Sequence, residues 1–207
     1  MKYVVFDFNG TILDDTVVGW MAEKKCMEHF EPNKKPITLE EYKRLFTFPV
    51  KDYYTKVGFN WDKYTYEEVS EYWFKWYCAY KDQYKVHDGV IDLLIRNRQA
   101  GIKNIILSAS SLIEMKKQLK ELGIEEYFDE VLGIDNILAG SKVDIALSWI
   151  KDKDPKECIM LGDTLHDLEV SKAMGIDCIL IANGHQAKEV LTEKYDRVVD
   201  DIRQVEL

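Results

Sequence analysis

The stretch Cys158-Ile159-Met160-Leu161-Gly162-Asp163-Thr164-Leu165-His166-Asp167 decides the fold. Cys158 to Leu161 is a short apolar run closed by a glycine turn, which reads as a buried strand. A helical pattern follows from His166 to Met174. The turn between them leaves two carboxylates, Asp163 and Asp167, at the carboxyl end of the strand. The same alternation recurs on both sides. Towards the amino terminus it predicts a helix over 141–150 with Ser141 as N-cap, a strand over 130–134, a helix over 112–122, a strand over 103–109 and a helix over 90–100. Towards the carboxyl terminus it predicts a strand over 178–182, a helix over 187–194 and a last strand over 197–199. Apolar strands alternating with helices define βαβ units, hence a parallel sheet covered on both faces.

One more strand, Lys2 to Phe8, opens the chain and ends at the turn Asn9-Gly10. From about residue 15 to 85 the character changes: the pattern is helical, crowded with aromatic and charged residues and punctuated by Pro32, Pro36 and Pro49. The expected architecture is an α/β fold: a doubly wound, Rossmann-like parallel sheet built from 1–14 and 86–207. A helical cap domain, 15–85, is inserted after strand one. In such sheets ligands bind outside the carboxyl ends of the strands. An insertion at that point hangs over the rim, where it can act as a lid.

Of 207 residues, 28 are Lys or Arg and 37 are Asp or Glu, a net charge of −9. That balance argues against a nucleic-acid surface, which needs a surplus of cations. The hydrophobic share of 46% supplies a sizeable core. No apolar run approaches the ~20 residues that cross a bilayer. The run Tyr3 to Phe6 stops at Asp7, so no signal peptide is expected, and the last residues carry no prenylation cysteine. Cys26, Cys78, Cys158 and Cys178 are widely spaced and form no metal-binding pair. They read as free thiols of a reducing cytoplasm, the expected location.

Four groups of polar residues lie at predicted strand ends: Asp7-Phe8-Asn9-Gly10-Thr11, Ser108, Lys142, and Gly162 to Asp167. Right-handed parallel crossovers bring such ends to one rim. Asp7, Asp163 and Asp167 would then crowd together and raise one another's pKa unless a cation is present. Oxygen ligands of this kind suit Mg²⁺. Lys142 adds a point charge that suits a phosphate, and Ser108 and the Gly10-Thr11 amides offer donors to its oxygens. The set describes a phosphoryl site with a carboxylate nucleophile.

These motifs resemble those of the haloacid dehalogenase superfamily, and within it the small phosphatases similar to phosphoglycolate phosphatase. Gly89-Val90, Ala173-Met174-Gly175-Ile176 and Asn183-Gly184-His185 match the same pattern. The resemblance implies a Mg²⁺-dependent phosphatase that hydrolyses a small phosphorylated metabolite through an aspartyl-phosphate. It implies Asp7 as nucleophile and metal ligand, Asp163 as metal ligand, and Asp167 as support for the metal or for Lys142. Gly10, Thr11, Ser108, Ala109 and Lys142 would bind the phosphate.

The resemblance breaks at Asn9. The family's phosphatases carry there a second Asp, which acts as general acid to the leaving group and general base to water. An amide does neither, although the backbone carbonyl of residue 9 remains available to the metal. The expectation is therefore an intact metal site with impaired proton transfer. The alternative is a phospho-ligand binding or regulatory protein with weak turnover. Because Asn and Asp are nearly isosteric, Asn9→Asp is expected to cost little packing. Other residues read as structural. Asp14 and Asp15 favour a helix start, and His166 is a structural or surface residue. His29, His87 and His185 have no assigned role. Trp73, Trp76, Tyr77 and Tyr80 fall at helical spacing and are expected to pack the cap's own core, the alternative being an aromatic wall over the substrate, and its Lys and Arg residues are expected to be solvated unless one meets an acidic leaving group.

Overall fold

The structure is a computed structural model describing residues 1–135, 138 and 141–207. The chain runs β1 (Tyr3–Phe6), β2 (Leu13–Asp14), α1 (Thr16–Phe30), α2 (Leu39–Leu45), α3 (Val50–Lys56), α4 (Tyr66–Ala79) and β3 (Lys85–Val86). It continues through α5 (Val90–Gln99), β4 (Lys103–Ser111), α6 (Leu112–Glu121), β5 (Glu130–Ile134), α7 (Val143–Ile150) and β6 (Cys158–Gly162). It ends with α8 (Leu165–Met174), β7 (Asp177–Ile181), α9 (Lys188–Lys194) and β8 (Val198–Val199).

Six strands form one sheet in the order β5-β4-β1-β6-β7-β8, each pair parallel. Side-chain alternation decides the two faces. Val4 and Phe6 of β1 join one apolar layer under α5 and α6, with Leu93, Leu94, Met115 and Leu119. Val5 joins the opposite layer under α7, α8 and α9, with Trp149, Leu168, Val170 and Leu191. β1 lies between β4 and β6, so the chain winds outward from it in both directions and leaves a crevice at its carboxyl end.

The short antiparallel ribbon β2–β3 pairs Leu13 with Val86 and Asp14 with Lys85. It ties together the two places where the chain leaves and re-enters the sheet. Two residues per strand give no alternation to read, so this ribbon is invisible in sequence. Between its strands, α1 to α4 gather around an apolar cluster of their own, including Cys26, Met27, Tyr42, Tyr53, Tyr54, Phe59 and Val69. Capping boxes start α2 (Thr38 with Glu41) and α4 (Thr65 with Glu68). The expected start of α7 moves: the helix begins at Val143 with Lys142 in the N-cap position. Ser141 still accepts a hydrogen bond, from the Val143 amide at 3.2 Å. No described helix is long and apolar enough to cross a membrane.

Candidate active site

Asp7 follows β1 and extends its ladder, its amide donating to the Leu161 carbonyl at 2.8 Å. Asp163 follows β6, and Asp167 sits in the first turn of α8. There Asp167 Oδ2 accepts from the Asp163 amide (3.1 Å), the Thr164 amide (3.0 Å) and the Thr164 hydroxyl (2.8 Å). This is the helix's own N-terminal capping, which fixes the carboxyl while its other oxygen turns to the site. Gly162 makes the approach possible, because a Cβ there would fall 2.2 Å from Asp167 Cγ.

One oxygen from each of Asp7, Asp163 and Asp167 lies within 4.8 Å of the others, and all three residues are buried. Lys142, 1% exposed, closes the group. Its Nζ donates to Asp7 Oδ1 at 2.5 Å and to the Leu107 carbonyl at 2.9 Å, and pairs with Asp167 Oδ1 at 2.7 Å. The β4 carbonyl thereby holds the ammonium between two carboxylates.

One lysine does not balance three buried acids. Burial, then the charges of Asp167 and Asp163, push Asp7 up to about 8 in spite of Lys142. Burial raises Asp163 to about 6. Asp167 also suffers burial, but its pairing with Lys142 holds it below the usual carboxylate value. A compact set of hard oxygen donors short of positive charge fits a divalent cation such as Mg²⁺.

Ser108 and Ala109 line the same cavity as Asp7 and Asn9. Ser108 Oγ already accepts from the Ser110 amide at 3.1 Å, which orients its hydroxyl. The Gly10 amide departs from expectation, and the Thr11 hydroxyl, as distinct from its amide, serves a carboxylate. The Gly10 amide is already paired, with the Leu13 carbonyl (2.9 Å) and with Asp15 Oδ1 (2.9 Å). Thr11 turns its hydroxyl to Asp163 Oδ1 at 3.0 Å. Both residues thus shape the carboxylates instead of presenting those donors to a phosphate. Gly10 is required there: its φ is +76°, and a Cβ would lie 2.3 Å from Asp163 Oδ2.

Asn9 is clamped. Its Oδ1 accepts from the Ser110 hydroxyl at 2.6 Å, and its Nδ2 donates to Asp15 Oδ2 at 2.6 Å and to the Tyr77 hydroxyl at 3.0 Å. Asp15 is the residue that sequence reasoning misplaced. It occupies the N-cap position of α1 but makes no side-chain cap. It is buried and also accepts from the Tyr77 hydroxyl at 2.6 Å, and its Oδ1 lies 3.3 Å from His185 Nε2. His185 Nδ1 in turn lies 2.8 Å from the Tyr42 hydroxyl. Burial disfavours both charges, yet each partner stabilises the other: Asp15 stays below the usual carboxylate value and His185 above the usual imidazole value. Only the Asn-Gly-His turn after a strand hinted at His185, and Asp15 had no signal beyond its nearness to Asn9. His166 stacks on Phe48 with ring centroids 4.7 Å apart.

Above Asp7 lies a cavity of about 150 Å³ roofed by α1, α3 and α4. On the aromatic helix α4, Trp73, Trp76, Tyr77 and Tyr80 pack the helical segment's own core against Val18 and Ala22, as expected, and two of them do more. Trp73 and Tyr77 stack on each other, centroids 4.8 Å apart, and both line the cavity. Tyr77 reaches from the helical segment down to Asp15 and Asn9, spanning the space between the two parts of the chain. Tyr72 instead stacks on His29. All cavity-lining residues described are aromatic, aliphatic, hydroxyl, amide or acidic, apart from His185; none is Lys or Arg.

The molecule is thus a doubly wound α/β protein with three converging carboxylates and a buried lysine at the carboxyl end of its central strands. The sequence profile of the haloacid dehalogenase-like hydrolases matches residues 4–181, and the chain belongs to that family. A stretch of 116 residues, 54% of this chain, is 28% identical to the tyrosine-protein kinase PtkA of Mycobacterium tuberculosis, but spans only 40% of that protein. The phosphoglycolate phosphatase of Neisseria gonorrhoeae is 23% identical over 220 residues, covering 99% of this chain and 92% of the relative. The structure of a haloacid dehalogenase-like hydrolase of Streptococcus pneumoniae superposes with a TM-score of 0.76 at 18% identity, covering 97% of this chain and 94% of the other.

Proposed function

We propose that the protein is a Mg²⁺-dependent phosphatase that hydrolyses a small phosphorylated metabolite through an aspartyl-phosphate on Asp7. The observation that carries the reading is Asp7 itself. It lines a cavity of about 150 Å³, held by Lys142 and grouped with Asp163 and Asp167. Asp7, Asp163, Asp167 and the residue 9 carbonyl would hold the metal, which supplies charge neutralisation for the phosphate and its attacking carboxylate.

An Asp7 oxygen forms a bond to phosphorus as the ester P–O bond breaks, and the leaving oxygen takes its proton from water, because Asn9 has none to give. Water then attacks the phosphorus of the acyl phosphate, releasing inorganic phosphate and the Asp7 carboxylate. Lys142 Nζ and the Ser108 hydroxyl orient the phosphoryl oxygens throughout. Tyr77, Trp73 and the rest of the helical roof, residues 15–85, act as a cap that excludes water. Four free cysteines, three of them buried, support a cytoplasmic setting, and the acidic balance supports a small-molecule partner over a nucleic acid.

A panel of phosphate esters assayed with and without Mg²⁺, with Asp7→Ala as blank and trapping of phosphoenzyme, tests the proposal. Metal-independent turnover, or turnover retained by Asp7→Ala, overturns it. The second reading, a phospho-ligand sensor, is favoured by one observation: Asn9 is locked to Asp15 and cannot be replaced in its role by that saturated carboxylate. Saturable phosphate binding without steady-state turnover would decide for it.

A further inference from the structure

The cavity contains a carboxyl group that the proposed reaction does not use. Glu23 lies on α1, two turns beyond Asp15, a rise of about 12 Å. It is 1% exposed and lines the cavity. Its Oε2 accepts a hydrogen bond from the Tyr53 hydroxyl, while Oε1 is buried with no hydrogen-bond partner. Between Asp15 and Glu23 the helix carries Gly19, whose missing side chain leaves room: a Cβ there would meet the Tyr42 hydroxyl at 3.3 Å and His185 Cε1 at 3.4 Å. Tyr53 meets Glu23 directly, and Tyr42, Tyr54, Trp73 and Tyr77 add aromatic walls to the same cavity.

We infer that the cavity selects a phosphate monoester whose leaving group carries an alkylammonium, with the cation held among these aromatic rings against Glu23. The inference rests on the phosphatase reading of the same site and names its substrate class. Three arguments carry it. First, an unpartnered buried carboxyl oxygen costs free energy unless a ligand satisfies it, and a cation satisfies it best. Secondly, ring faces attract cations, most strongly where water is excluded. Thirdly, among the described residues the lining offers no free cation to the opposite choice. Asp7, Asp15, Glu23 and Glu114 face the space with His185 as the lone base, and His185 is already paired with Asp15. A leaving group bearing a carboxylate or second phosphate would meet acids.

The cavity of about 150 Å³ is shared by the phosphate and its leaving group, so it admits only a small ester. Burial raises the Glu23 carboxyl to about 8, so at neutral pH it waits mostly uncharged; an arriving ammonium supplies the countercharge that lets it ionise. The chemistry of the ester agrees with Asn9. An ammonium two carbons from the ester oxygen withdraws electrons and makes the alkoxide a better leaving group, which eases the loss of a general acid.

Binding separates this claim from the reaction. Trimethylammoniopropyl phosphonate, its neutral tert-butylpropyl isostere and phosphonopropionate share a phosphonate whose P–C bond withstands hydrolysis. Calorimetry with Mg²⁺ present is expected to show the cationic compound binding at least about tenfold tighter than the isostere, with phosphonopropionate weaker than both. Glu23→Gln, which keeps the shape, is expected to reduce the ratio to within about threefold, and Trp73→Leu to reduce it independently. Should either variant fail to fold, the wild-type ratio alone decides. Equal or tighter binding of the isostere or of phosphonopropionate, or no saturable binding of the cationic compound, overturns the inference. Hydrolysis of p-nitrophenyl phosphate, measured in parallel, reports on the phosphatase reading by itself. A cation preference without turnover overturns that reading and upholds the ligand class.

Discussion

Asn9→Asp, which restores the acid–base residue of related phosphatases, is expected to destabilise this protein at neutral pH. Asn9 Nδ2 donates to Asp15 Oδ2 at 2.6 Å in a buried setting, and the substitution puts an oxygen where that donor stood. Two carboxylate charges about 4 Å apart at an effective dielectric constant of about 20 repel by about 4 kcal/mol. That equals about three pH units, lifting the new carboxyl from its ordinary ~3.9 to about 7. A folded-state pKa raised in this way leaves stability intact below about pH 4, where the group is protonated in both folded and unfolded chains. As pH rises from there, the unfolded chain gains by ionising, and stability falls by about 1.4 kcal/mol per unit until the folded pKa is reached. Relative to wild type, Tm should therefore drop by only a few degrees near pH 4.5 and by roughly 8–16 °C near pH 7.5. Thermal unfolding in matched buffers measures both. The swap Asn9→Asp with Asp15→Asn returns a donor to the pair and should recover stability relative to Asn9→Asp alone. It is also where a gain of up to ~10²–10⁴-fold on alkyl phosphates should emerge. An equal Tm loss at both pH values, or none, refutes the claim that Asp15 fixes the amide at position 9.

Lys142→Met leaves Asp7 and Asp167 without their buried partner and should cost about 3–5 kcal/mol at neutral pH, read by urea denaturation, along with nearly all turnover. In chelator-treated protein, Asp7 and Asp163, raised by burial to about 8 and about 6, contribute stability that is complete below about pH 4 and lost as pH climbs through those values. Added Mg²⁺ should flatten that profile; an identical profile with and without it counts against a metal held by these residues. Gly10→Ala forces a Cβ to within 2.3 Å of Asp163 Oδ2 at a positive φ, so metal affinity measured by calorimetry should fall at least tenfold, or about 1.4 kcal/mol.

The sequence by itself determined the sheet, its helices and the convergence of Asp7, Ser108, Lys142, Asp163 and Asp167, because each of these rests on local information. Strand and helix periodicity is written in neighbouring residues, and the handedness of parallel crossovers then brings the strand ends together without further instruction. The boundaries moved by a residue or two, and Ser141 gave way to Lys142 as the N-cap of α7.

Only the tertiary structure decided what surrounds that rim. The environment of Asn9 depends on Asp15, His185 and Tyr77, which approach from three separated parts of the chain. The helical spacing of Trp73 and Tyr77 states that they share a face of α4, but both the roof's own core and the cavity were available to receive it. Likewise, nothing adjacent to Glu23 marks it as buried, since a glutamate in an amphipathic helix ordinarily faces water. Periodicity assigns a residue to a face; what that face meets depends on long-range packing and on the desolvation that packing imposes.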